Sequence, residues 1–357
     1  MSRRVDIAII GAGMAGASLA AEIGGRASVL LLEAEDQPGY HSTGRSAAFW
    51  SESYGGPAVQ PLTTASGPFL RDGGFLSPRG SLHIAEPEGQ GALDALARDL
   101  GGAVELRPLV GREVADMVPG LRPQWTSALL EPTCADIDVA ALHAFYLAAA
   151  RRSGTEVLTN AALVAAERGG AGWRLTTRAG EIVARVLVNA AGAWADPVAN
   201  LAGTQPLGIR AYRRTMVQLR IDPPAPADLP LVIDALGRFY FKPEAGGRLW
   251  LSPHDETECE PSDCAPEEYD IALAIDRLEK AVTWKVDCVE RSWAGLRSFA
   301  PDRVPVYGYA EDAKDFFWFT GQGGFGIQTA PAAARLGAAL LLGEEPELDP
   351  APYRPGR

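Results

Sequence analysis

Gly11, Gly13 and Gly16, in the run Gly-Ala-Gly-Met-Ala-Gly, follow the apolar residues 5–10 and open a stretch rich in helix formers, residues 14–23. Strand, tight turn and helix in that order bring backbone amides and the positive end of a helix to one point, which suits a pyrophosphate. Gly11 permits the turn, Gly13 lets the phosphate reach the backbone, and Gly16 lets the helix pack on the strand. Met14 and Ala15, the first residues of that helix, belong to the same site. Glu33 ends the next apolar run, 22 residues after Gly11, where an acid accepts hydrogen bonds from ribose hydroxyls and repels a 2′-phosphate. The chemistry implied is binding of a dinucleotide other than NADP.

The elements that position these residues form a βαβ unit. Residues 27–32 read as a second parallel strand buried on both faces, because they lack alternation. From residue 39 to 56 the chain is polar, aromatic and Gly-rich, as a site-lining loop is. A helix over 89–100 follows. Asp138 caps a helix over 139–152 that Gly154 closes. Strands near 155–158, 161–167 and 172–177 lead to a buried strand over 185–190. Strands over 212–221, 238–243 and 248–252 precede a helix near 266–282, and Pro223, Pro224, Pro226 and Pro230 mark a linker. A strand over 316–320 and a helix over 327–342 end the pattern. The fold class expected is α/β, with a Rossmann-like dinucleotide-binding domain made of 1–78, 134–205 and 302–357. An inserted antiparallel-sheet substrate domain, an α+β layer, takes 79–133 and 206–301.

Composition narrows the function. The 357 residues carry 33 Lys+Arg against 45 Asp+Glu, a net charge of −12, so nucleic acid and anionic lipid are poor partners. No apolar run approaches the length of a bilayer span, and the N-terminus has no signal-like apolar region, which predicts a cytosolic protein. Cys134, Cys259, Cys264 and Cys288 fit neither a disulfide scaffold nor a metal pattern.

Four segments, in order, carry a resemblance: Gly39-Tyr-His-Ser-Thr-Gly-Arg-Ser-Ala-Ala48, Val188-Asn-Ala-Ala-Gly-Ala-Trp-Ala-Asp196, Trp293-Ala-Gly-Leu-Arg-Ser-Phe299 and Gly321-Gln-Gly-Gly-Phe-Gly-Ile-Gln-Thr329. They resemble the D-amino acid oxidase superfamily of FAD-dependent oxidoreductases, and within it the bacterial D-arginine dehydrogenase type, over essentially the whole chain. The resemblance implies FAD contacts from Ser42, Thr43, Gly44, Arg45, Ser46, Ala47 and Ala48, from Ala191, Gly192 and Trp194, and from Gly323, Gly326, Ile327 and Gln328. Small residues at 42–48 suit a backbone that approaches a flat ring. The glycines ahead of the last helix offer amide donors to the flavin pyrimidine, with Gln328 as a further donor. No cysteine lies where the sarcosine-oxidase relatives attach flavin, which implies non-covalent FAD.

For the substrate, the resemblance implies an amino acid whose carboxylate is clamped by Arg214 and Arg297, with Tyr54 and Tyr240 beside it and the Gly324 carbonyl near the amine. Arginine suits this because its planar fork binds a carboxylate bidentately. No strong base is needed if the amine binds neutral. His41 is expected to make a structural hydrogen bond, and the substrate motifs supply no histidine base. Residues 50–56, around Tyr54, suit a lid.

The chain departs from the D-arginine pattern at two places. Ser81 stands where the relative has an acid that pairs with a cationic side chain, and Phe49 stands where it has a histidine. A buried guanidinium without a carboxylate costs several kcal/mol, so the expected substrate is a neutral or apolar D-amino acid, deaminated oxidatively, or a cyclic imino acid. Glu52 and Glu86 are nearby acids outside the family position. The alternatives are oxidation of a secondary amine or a 2-hydroxy acid, an NAD-dependent dehydrogenase, and a non-catalytic flavin-binding subunit. Oxygen, a quinone or a carrier would accept the electrons.

Overall fold

The computed structural model describes residues 3–170 and 172–357. Met1 and Ser2, at the head of the expected first stretch, and Ala171 lie outside the described residues.

Among the described residues the strands form an eight-stranded sheet, a nine-stranded sheet and a three-stranded connector. In the first sheet Arg3–Ile10 pairs in parallel with Val29–Leu32 on one side and with Gly180–Asn189 on the other. Val29–Leu32 also pairs with Glu156–Leu158, and Gly180–Asn189 with Phe316–Thr320, both in parallel. Ile9, Leu31 and Val188 are fully buried against Met14–Ile23, Val139–Arg152 and Ala330–Leu342. Removing each such aliphatic side chain from water contributes about 1.5–3 kcal/mol. These parallel strands are uniformly apolar because both faces are covered. Asp138 caps Val139–Arg152 through a bond accepted from the Ala141 amide at 2.9 Å.

The second sheet is built around Arg210–Asp222, which pairs along its length with Lys285–Phe299. Its Val217, Leu219 and Ile221 pack with Ala274 and Leu278 of the helix Glu268–Ala281. Met216, the residue before Val217 and so on the opposite side of the strand, packs instead with Tyr240 on the other face. That other face carries a cross-strand row, His83 opposite Ile233 opposite Tyr240. Two residues along sits a second row, Glu131 opposite Ser81 opposite Leu231. The stretch expected to be a linker joins two strands of this one sheet, and its Ala225 and Leu229 are buried in the sheet's core.

Two elements differ from expectation. The last helix begins at Ala330, because residues 321–329 are spent on a glycine turn. The helix Gln60–Asp72 contains Pro61, Gly67 and Pro68, residues that argue locally against a helix, yet Gly67 is required where the helix crosses Trp50: a Cβ there would lie 2.7 Å from the indole.

Among the described residues no helix is long and apolar enough to cross a membrane, and no group of three or more His, Cys, Asp and Glu is arranged to hold a metal.

Candidate active site

Glycines 11, 13 and 16 sit where strand Arg3–Ile10 turns into helix Met14–Ile23, and each excludes a side chain for a different reason. Gly11 has φ +99° and faces the Ala190 carbonyl. A Cβ on Gly16 would lie 1.9 Å from the Gly11 carbonyl oxygen, so helix and strand can meet only through glycine. Beside Gly13 the nearest atom is the Thr43 hydroxyl, which accepts a bond from the Met14 amide at 2.9 Å. Thr43 thereby caps a helix end that has no other side-chain cap.

From this turn a cleft of about 400 Å³ runs between the strand ends. Gly11, Gly13, Met14, Ala15, Glu33, Ser42, Thr43, Ser46, Ala191, Gly192, Trp194, Gly323, Gly326 and Ile327 line it. Its volume, the glycine turn and the acid at the end of the second strand fit a dinucleotide. The Glu33 carboxylate is fixed by amides, accepting from Ala12 at 3.0 Å and Glu35 at 3.1 Å. Lone pairs on the same oxygens remain for sugar hydroxyls. His143 donates from Nε2 to the Ala12 carbonyl at 2.9 Å, and burial pushes its pKa down. His41 bonds Glu35 at 2.8 Å and lies 4.6 Å from the Trp194 ring, a structural role as expected.

Against the cleft lies a smaller cavity of about 70 Å³. Phe49, Tyr54 and Tyr240 form its aromatic wall, with Phe49 and Tyr54 rings 5.5 Å apart. Arg297 and Gly324 line both spaces and so mark their junction. Arg297 has no carboxylate partner among the described residues, and its Nε is buried without any hydrogen-bond partner. A buried, unpaired guanidinium nitrogen at the mouth of a small cavity is an anion site in waiting, since leaving it unpaired costs stability.

Several expected residues lie outside the cleft lining. Gly16, Gly44, Arg45, Ala47, Ala48 and Gln328 do not line the cleft. Gly16 acts through packing, and Gly44 closes a turn by donating to the Gly39 carbonyl at 2.8 Å. Ala47, Ala48 and Gln328 face the small cavity instead. Arg45 reaches across to the second sheet, donating to the carbonyls of Cys264 and Ala294 and pairing with Asp263. Gln328 is no spare donor: its Oε1 accepts from the Ser51 amide, and its Nε2 donates to the Tyr54 carbonyl and the Thr63 hydroxyl. Together with Glu131 it ties down residues 51–54, a strap within the stretch expected to form a lid. Arg214 is 2% exposed and outside the cavity lining. It donates to the Asp255 carbonyl at 2.7 Å and pairs with Glu256 at 3.1 Å, so only one of the two expected clamp arginines lines the cavity. The Tyr240 hydroxyl donates to the Met216 sulfur at 3.1 Å. Glu52 and Glu86 are also absent from the lining; Glu86 pairs with Arg238.

Three residues were missed. His83 and His254 lie outside the substrate motifs, yet both line the cavity. Burial alone lowers His83 to about 4. Burial, with Arg214, Arg297 and Arg277 nearby, lowers His254 to about 3, against the opposing bond from its Nδ1 to the Gly237 carbonyl at 2.9 Å. Both imidazoles are neutral near pH 7. The third is Glu131, fully buried behind the cavity. Its carboxylate accepts from Ser51 at 2.7 Å, Ser53 at 2.5 Å and the Glu52 amide at 2.7 Å, with Ser81 at 3.4 Å. Burial raises its pKa against these bonds. Its distance in sequence from residues 51–53 and its position across the ladder from Ser81 gave no local signal.

Residues 6–340 match the model of the DAO family, FAD dependent oxidoreductase. The chain belongs to this family. Among curated DAO relatives, the glycine oxidase of Pseudomonas aeruginosa is 32% identical over 184 residues, 51% of this chain and 48% of the relative. The chain spans about half the length of the curated relatives it matches first. The fold is that of the glycine oxidase structure from Geobacillus kaustophilus, at TM-score 0.86 and 22% identity, covering 100% of this chain and 99% of that one. The L-proline dehydrogenase structure from P. horikoshii gives 0.84 at 21% identity, covering 97% and 95%. FAD is the cofactor of this family, and the glycine turn, Glu33 and the cleft they line fit it.

Proposed function

We propose that the protein uses FAD to oxidise the C–N bond of a small, neutral amino acid, with a D-amino acid as the first candidate and a secondary amine such as an N-methyl or cyclic amino acid as the second. The observation that carries this reading is Arg297, unpaired at Nε where cleft and cavity meet. Bound FAD supplies the hydride acceptor. Arg297 binds the substrate carboxylate and so fixes which C–H faces the cleft. Phe49, Tyr54, Ile233 and Tyr240 exclude water, and a volume of about 70 Å³ suits a short side chain.

The cationic substrate is disfavoured, because no carboxylate lines the cavity among the described residues and Glu131 is already covered by four donors. The 2-hydroxy acid is disfavoured too. It needs a base for its hydroxyl proton, and His254, with a conjugate acid near 3, takes one poorly. An amine brings its own lone pair. The name of the Pseudomonas aeruginosa relative, glycine oxidase, supports a small amino acid.

The test is an anaerobic panel of D- and L-amino acids, N-methyl amino acids and 2-hydroxy acids, read as bleaching of the bound flavin. Small D-amino acids or secondary amines should bleach fastest and D-arginine slowly. Fastest reduction by a hydroxy acid or by D-arginine would overturn the reading, as would a colourless protein that binds NADH.

A further inference from the structure

The cavity floor ends in polar residues that the proposed reaction does not use. His83 lies in the row with Ile233 and Tyr240, and His254 sits beyond Tyr240 with ring centroids 5.5 Å apart. Arg297 lines the cavity where it opens to the cleft, which places the carboxylate end of the substrate at that junction. His83 lines the cavity and not the cleft, so its end is the side-chain end.

The hydrogen positions at that end follow from the donor set. Four donors converge on Glu131, so it accepts as a carboxylate, and the single hydrogen of Ser53 goes to it at 2.5 Å. Ser51 likewise gives its hydrogen to Glu131 at 2.7 Å. The Ser53 oxygen, 3.1 Å from His83 Nε2, is left as an acceptor, so His83 Nε2 carries the proton. A neutral imidazole with Nε2–H has a bare Nδ1. That nitrogen has no partner among the described residues, and the ring lines the cavity.

We propose that Glu131, acting through Ser53, fixes the tautomer of His83 so that its Nδ1 accepts a hydrogen bond from the substrate side chain, selecting amino acids with a short side chain that ends in a hydroxyl. Ser53 and Glu131 are positioning residues, and His83 sets specificity. Burial holds His83 unprotonated, so it stays an acceptor across the neutral range. A methyl group in place of the hydroxyl would leave Nδ1 desolvated and unpaired, which lowers affinity.

This inference rests on the amino-acid reading above. The experiment compares D-serine with D-2-aminobutyrate, which swaps hydroxyl for methyl at the same size, by anaerobic flavin reduction of the FAD-loaded protein. The wild type should favour D-serine by about tenfold in kcat/KM, the worth of one hydrogen bond. In His83→Leu the ratio should fall to about one or invert, whichever way the absolute rates move. Ser53→Ala, which frees the tautomer, should give an intermediate ratio. A wild-type ratio of one or below, with both compounds bleaching the flavin, overturns this inference and leaves the proposed reaction standing. Equal ratios in wild type and His83→Leu also overturn it. If no amino acid bleaches the flavin, both fall together. The wild-type ratio needs no variant to fold.

Discussion

Tyr54 and Gly324 touch so closely at the junction of cleft and cavity that a Cβ on Gly324 would stand 2.1 Å from the Tyr54 hydroxyl and 3.3 Å from Arg297 Cδ. The Tyr54 ring is itself wedged, 5.1 Å from Phe325 and 5.5 Å from Phe49. Gly324→Ala therefore displaces Tyr54, Arg297 or the turn. A shift of about 1 Å in positioning groups lowers rates on the order of 100-fold. The variant should remain yellow, since most of the cleft lining is untouched, and lose about 100-fold in the rate of anaerobic flavin reduction. Wild-type rates in Gly324→Ala would show that this contact does not position the substrate.

The two arginines separate on the same assay. Arg297→Met removes the only unpaired guanidinium found at the cavity among the described residues, and should raise KM and lower kcat/KM on the order of 100- to 1000-fold for carboxylate substrates with little change in melting temperature. Arg214→Met should do the reverse. It breaks a buried pair with Glu256, which keeps Arg303 at 2.8 Å, so the stability loss is about 2 kcal/mol, less than for a carboxylate left alone. Thermal unfolding should show a drop of several degrees. A catalytic collapse in Arg214→Met without loss of stability would restore it as a second clamp.

Acid should weaken the fold through the cavity histidines. Each has a folded pKa below its unfolded value of about 6.5, so the unfolded chain binds more protons as pH falls. Stability is then fully present above about 6.5 and is lost on the way down to about 4 for His83 and about 3 for His254. The slope is about 1.4 kcal/mol per pH unit for each histidine. Glu131 works in the opposite sense, because its raised pKa favours proton uptake by the folded state. Denaturant midpoints measured from pH 7 to pH 5 should fall, and fall less steeply in His83→Leu. Over the same range kcat/KM should show no inflection belonging to either histidine, and titration of His83 or His254 between pH 6 and 7 would contradict the buried, neutral state.

Local sequence was a good guide where one element makes its own site. Gly11, Gly13, Gly16 and Glu33 act through the turn and strand that carry them, and the cleft takes shape around them. It was a poor guide where function depends on what another strand brings. Ser81 reads as a lost acid, yet Glu131 stands across the ladder from it, and only the pairing register shows that. Arg214 occupies the strand position expected of it, but Asp255 and Glu256, more than forty residues on, draw its guanidinium away. The helix Gln60–Asp72 hid behind two prolines because tertiary packing on Trp50 outweighs local propensity.

Gln328 is the clearest case of a residue whose type was read correctly and whose partners were not. It is 2% exposed, and all three of its bonds go to the chain between Ser51 and Thr63. Gln328→Glu keeps the acceptor for the Ser51 amide and removes both donors. Thr63 can turn its own hydrogen toward the new carboxylate, but the Tyr54 carbonyl cannot, and it is left facing an anion in a buried site. An unsatisfied buried acceptor costs about 1–3 kcal/mol, and here the cost falls on the strap that carries Tyr54. Amide exchange at residues 51–54 should speed up about tenfold or more, with a higher KM for the substrate and FAD still bound. Gln328→Ala, which removes the amide without adding charge, should give a smaller change in the same direction. Unchanged exchange in both variants would mean that Glu131 alone holds the strap, through Ser51, Ser53 and the Glu52 amide.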